Sequence, residues 1–166
     1  MLSKIKSTRK QHLVYCLFAV FYFWMAAQIP YTHDDWDWGL DIGLHQLIHA
    51  TVNSRYAGNF FVVIMTRSEL LKTFIMGSGY FLIPFCLSHF AAKLIPNTSK
   101  NTKLMLFLLA NCLLLTINRG IWRQTYGWVS GYANFVVSAI FMMLWINEIF
   151  SAFDHNTSGK KDSFPH

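Results

Sequence analysis

Long apolar runs separated by short polar breaks dominate the chain. The runs at residues 12–29, 71–95, 104–121 and 131–150 each approach the roughly 20 residues that a helix rising about 1.5 Å per residue needs to cross a bilayer. The pattern therefore predicts four transmembrane helices. The third run reaches spanning length only by taking in Gly120 and Ile121, with Arg119 snorkelling to the interface. The first follows the basic residues Lys4, Lys6, Arg9 and Lys10, as a signal peptide or an anchor would. Its aromatic core, which includes Phe18, Tyr22 and Trp24, and the poor cleavage site Met25-Ala26-Ala27 favour a retained anchor. The expectation is an all-α integral membrane protein, with a basic tail over 1–11, one helical membrane domain over 12–150 and a polar tail over 151–166.

Residues 30–70 form a loop too long to be a plain connector in a compact protein, so structure or function is expected there. Leu44, Leu47, Ile48 and Val52 recur at helical spacing, which predicts an amphipathic helix over 41–52 lying along the membrane surface. Its polar stripe is Asp41, His45 and His49, at i, i+4 and i+8. A second apolar stretch, 60–65, is too short to span and reads as an interfacial or re-entrant helix.

Composition agrees with the hydropathy pattern: 54% hydrophobic, 17% aromatic and 13% charged residues lie outside ordinary soluble proportions. The net charge of +6 is not gathered on one amphipathic face, so it speaks of topology rather than nucleic acid. Lys and Arg favour cytoplasmic loops. The N-terminal cluster, Lys93, Lys100, Lys103 and the Lys160-Lys161 tail share one side of a four-helix arrangement. Arg55, Arg67, Lys72, Arg119 and Arg123 fall on the other. The expected location is the plasma membrane, multi-pass, with both termini cytoplasmic. Cys16, Cys86 and Cys112 lie inside apolar runs without metal-ligand spacing and read as small buried hydrophobes.

Candidate chemistry gathers in the two outer loops. Asp34, Asp35 and Asp37 stand among Trp36 and Trp38 just past the first span, where carboxylates can hold a divalent cation such as Mg or Mn or take a proton. Asp34 and Asp35 are the candidate catalytic and metal-binding residues. The competing reading makes them interfacial caps and solubilising charges. Arg55, Arg67, Arg119 and Arg123 offer guanidinium forks suited to phosphate. Trp122 and Trp128 sit in an aromatic turn that could stack on a sugar ring, although belt residues anchoring a helix end have the same look. Gly127 and Gly131 give a GxxxG spacing that permits close helix approach. The Asp41-His45-His49 stripe could offer two imidazoles and a carboxylate to a metal, but no zincin pattern accompanies it and a solvated helix face is the better reading. Ionisable residues midway along the spans, the sign of a transporter, are missing.

The basic N-terminus, one span, an immediate Asp34-Asp35, the segment Arg55-Tyr56-Ala57-Gly58-Asn59 and then successive spans resemble the N-terminal part of the bacterial C-type (GT-C) glycosyltransferases. The likeness extends over about residues 10–150, with Tyr126-Gly127-Trp128-Val129-Ser130-Gly131 as a second shared segment. It implies a sugar donor carried on a polyprenyl phosphate and used in cell-surface polysaccharide modification. An acidic residue of the first outer loop would bind a divalent cation or act as general base, and Asp34 and Asp35 match that position. The superfamily carries more spans than the four expected here. The chain is accordingly read as a truncated product, one half of a split transferase, or an accessory. The alternative function is a non-catalytic membrane subunit of a polysaccharide assembly or export complex, contacting another subunit through its aromatic patches.

Overall fold

The computed structural model describes residues 2–49 and 55–161, with side chains described for residues 9–49 and 55–152. Every regular element among the described residues is helical. The first long helix, α1 (Leu2–Ala27), is followed by the short α2 (Asp35–Gly39), α3 (Asp41–His49) and α4 (Tyr56–Arg67). Next come α5 (Glu69–Leu94), α6 (Lys100–Leu115) and α7 (Arg119–Thr125). The chain closes with α8 (Val129–Gly131), a wide π turn (Tyr132–Val136) and α9 (Val137–Lys161). The all-α expectation holds.

Boundaries differ from the hydropathy reading where polar residues are good helix formers. α1 begins in the basic stretch ahead of residue 12 because Lys, Arg and Gln propagate a helix well. For the same reason α9 runs through the expected polar tail as far as Lys161, and residues 162–166 lie outside those described. Positions 50–52 of the expected surface helix also lie outside them, and α3 is helical up to His49. α4 covers the expected 60–65 stretch with an extra turn at its start.

Two helices among the described residues are long and apolar enough to cross a membrane, α5 and the continuous rod from Val129 to Ala152. α1 has the length, but its basic beginning and its tyrosines leave it less apolar. The expected straight third run does not form. α6 stops at Leu115 and α7 leaves at 92° to it. Thr116 Oγ1 turns back to donate to Cys112 O at 2.8 Å. Asn118, in extended ψ, then starts a new helix by accepting from Gly120 N at 2.8 Å. Polar capping at 116–118 therefore outweighs the apolar residues on either side.

α1 packs against α5, and α5 packs against α6 and α9. Side-chain bonds mark the two ends of this bundle. At one end Gln11 donates to Lys100 O, and Lys93 Nζ donates to Asn147 Oδ1 and Ser151 Oγ, each at 2.8 Å. At the other, Lys72 Nζ donates to Ile29 O at 2.6 Å; with Phe23 against Phe74 and Tyr15 against Phe85, α1 and α5 run antiparallel. Three fully buried tyrosines fill the middle, and each hydroxyl finds an acceptor, as buried polar atoms must. Tyr22 donates to Asn111 Oδ1 at 2.5 Å, Tyr80 to Tyr126 O, and Tyr132 to Ile75 O and Met76 O at 3.3 Å. Above them α4 covers the Lys72 end, touching α2, α3, α5, α8 and the π turn.

Lys72 is 1% exposed while its ion-pair partner Glu69, 2.5 Å away, is 65% exposed. Water screens the pair, so the cap on the Ile29 carbonyl and the Tyr31 ring, 4.6 Å from Nζ, carries most of the stabilisation. Lys72→Ala is expected to lower unfolding stability in detergent by about 1–3 kcal/mol, and Glu69→Gln by less than about 0.5 kcal/mol. Equal losses in thermal unfolding would assign the effect to the ion pair instead.

Candidate functional site

The chain leaving α1 folds back at once into a tight turn. Asp35 N donates to Thr32 O at 3.0 Å, and Thr32 N donates to Asp35 Oδ2 at 2.9 Å. Closing both bonds over two intervening residues puts His33 at φ 51°, a conformation that primed turns usually give to glycine. The cost is on the order of 1 kcal/mol. Asp35 itself is 1% exposed. Its Oδ1 accepts from Ser130 N at 2.9 Å and Ser130 Oγ at 2.5 Å. One buried carboxylate thus joins the turn after α1 to α8, 95 residues further along the chain.

That junction builds a cavity. Thr32, His33 and Asp34 form one wall, and Gly120, Arg123, Gln124, Gly127, Trp128 and Phe135 form the other, around a volume of about 760 Å³. Asp34 Oδ1 accepts from Trp128 Nε1 at 3.2 Å, which ties the walls a second time. The Trp128 ring stands edge-on to His33 with centroids 6.3 Å apart. The corner carrying Trp128 closes tightly because position 131 is glycine: a Cβ there would lie 2.3 Å from Gln124 O. The expected GxxxG pair thus shapes a corner within one loop. The π turn sets Phe135 on the cavity, and the Arg55 guanidinium lies 5.7 Å from that ring. A carboxylate, a guanidinium, an imidazole, a primary amide and an indole therefore share one hollow, of a size common for small-molecule sites.

The sequence-predicted residues separate into two groups. Asp34, Arg123 and Trp128 meet in the cavity, with Arg55 beside its Phe135 edge. Asp35 is sealed beneath it. Arg67 points its fork elsewhere: Nη1 donates to Trp38 O at 2.9 Å and Nη2 to Leu40 O at 2.6 Å, capping the end of α2. Arg119 is exposed at the start of α7 and does not line the cavity. Trp122 stacks on Tyr126, with centroids 5.0 Å apart and planes at 17°, and lies over Tyr80. Below the cavity, Tyr31 donates to Met65 O at 2.9 Å. Burial, with Glu69 and Asp35 adding to it, pushes its phenol up to about 12, so it stays a donor.

The carboxylates here are poorly suited to a divalent cation. Hard cations want a cage of six or more oxygens, and both Asp35 oxygens are already engaged by donors of the chain. Among the described residues, Asp34 is the one carboxylate on the cavity wall. Among the described residues no three His, Cys, Asp or Glu side chains converge on a metal position, the His45–His49 pair included. These residues do not fit a resident cation.

No family model, curated protein or solved structure matches the chain. The site therefore rests on its own geometry. Sequence reasoning passed over His33, Gln124, Phe135 and Ser130 as site residues. His33 could have been noticed from its place directly before the aspartates, whereas nothing in the sequence announces the π turn.

The two adjacent aspartates should behave very differently. Asp35→Asn loses its charge and faces at least one donor with an amide NH₂, so stability should fall by roughly 1.5–3 kcal/mol. Asp34→Asn keeps an acceptor for the Trp128 indole and should stay within about 0.5 kcal/mol of wild type. Thermal unfolding of the solubilised protein separates them, and similar shifts would contradict the assignment of Asp35 as the buried junction.

Proposed function

We propose that the cavity binds the phosphate-linked sugar of a lipid at the outer membrane boundary, and that the chain acts as a membrane glycosyltransferase in cell-surface polysaccharide modification. The supporting observation is that Asp34, from the turn after α1, lines one hollow with Arg123, Gln124 and Trp128, which come from a segment far along the chain. Arg123 holds the phosphate through charge-assisted guanidinium bonds, Trp128 stacks on the sugar face, and Gln124 bonds its hydroxyls. Asp34 acts as general base on the acceptor hydroxyl. The acceptor oxygen bonds to the anomeric carbon, the bond from that carbon to the phosphate oxygen breaks, the hydroxyl proton passes to Asp34, and the lipid phosphate leaves with the bonding pair.

The membrane placement belongs to the same reading. α5 and α9 cross, the bent α6–α7 pair makes a third crossing, and α1 a fourth because it packs antiparallel to α5. Both termini are cytoplasmic. Lys93, Lys100 and Lys103 lie at the end marked by Gln11, and the cavity lies at the opposite end.

With membrane vesicles, a polyprenyl-phosphate-sugar donor and an acceptor glycan, Asp34→Asn should slow transfer roughly a hundredfold or more. Arg123→Gln should raise the half-saturating donor concentration roughly tenfold or more. Full transfer by Asp34→Asn at normal protein level would remove the catalytic role and favour a non-catalytic membrane subunit.

A further inference from the structure

His33 lines the cavity between Thr32 and Asp34, on a backbone held in the left-handed region at φ 51°. Asn97, the other non-glycine residue with positive φ among those described, has φ 54° in the turn between α5 and α6. Asparagine often occupies that region as a helix terminator. His33 terminates nothing. Its conformation follows from the two bonds that Asp35 makes with Thr32, and the outcome is an imidazole set beside Trp128 on the cavity wall.

We propose that His33 is a binding residue for the phosphate of the ligand, acting together with Arg123. This rests on the reading of the cavity as a phosphosugar site. A phosphodiester carries one negative charge and offers two non-bridging oxygens. The same cavity holds the Asp34 carboxylate, which repels that charge. Arg123 sits on α7 and His33 on the turn before α2, so two separate segments bring them to the same hollow. An imidazole N–H donating to one oxygen, with the guanidinium on the other, offsets the carboxylate and fixes which end of the ligand faces Asp34. Arg55, against Phe135, adds positive charge at the rim. The pairing selects phosphate-linked sugars over neutral glycolipids.

The test uses the full chain in lipid nanodiscs and two probes, farnesyl phosphate carrying one glucose and the uncharged farnesyl glucoside. His33→Asn and His33→Gly both accept the left-handed turn, so their thermal midpoints should match or exceed wild type. Each should bind the phosphate probe roughly ten- to hundredfold more weakly and the glucoside as wild type does. If Arg123→Gln loses the phosphate probe while both His33 variants keep it, the cavity reading stands and the role of His33 is overturned. Equal loss of both probes in the His33 variants makes His33 a support of the pocket and also overturns it. A wild-type protein that binds no phosphate probe removes the cavity reading and this proposal together.

Discussion

A carboxylate taken out of water must be repaid by donors, and Asp35 meets that demand with the Thr32 amide and the amide and hydroxyl of Ser130. Much of the site follows from this. The bond to Thr32 tightens the turn and forces His33 into a left-handed conformation. The bonds to Ser130 bring α8 against that turn, which sets Trp128 beside Asp34. Asp34, one residue earlier, is left on the wall of the hollow between the two segments. Neighbouring aspartates thus divide into one that holds the structure and one that faces the cavity.

The helices were readable from hydropathy because a long apolar run in this composition has few alternatives to a buried or membrane helix. The breaks were harder. At 116–118 the side chains of Thr116 and Asn118 bond the backbone and outweigh the apolar residues around them, and α7 leaves at 92°. Basic and polar ends read as tails, yet α1 and α9 extend through them, since hydropathy measures solvent preference and says little of helix propensity. α2, five residues long, has no periodicity to detect.

The chemistry was legible by residue type and by loop, and illegible by role. Arg67 and Arg123 look alike in sequence, but only the fold shows that the Arg67 fork is spent on the Trp38 and Leu40 carbonyls while Arg123 reaches the cavity. The same holds for Gly58 in its Arg-Tyr-Ala-Gly-Asn segment. A Cβ there would lie 2.2 Å from Asn134 Oδ1, so the glycine exists for the contact between α4 and the π turn. Pairings between residues this far apart leave no local trace. Three buried tyrosines with satisfied hydroxyls tie the helices that carry the two loops to one another.

The claim that Asp35 and Ser130 together build the cavity is tested most directly by a double-mutant cycle on unfolding stability, with Asp35→Asn, Ser130→Ala and the pair. Because the two side chains share a buried charge-assisted bond of 2.5 Å, their effects should fall short of additivity by about 1–2 kcal/mol. Additive losses would show that the two segments are held together by something else.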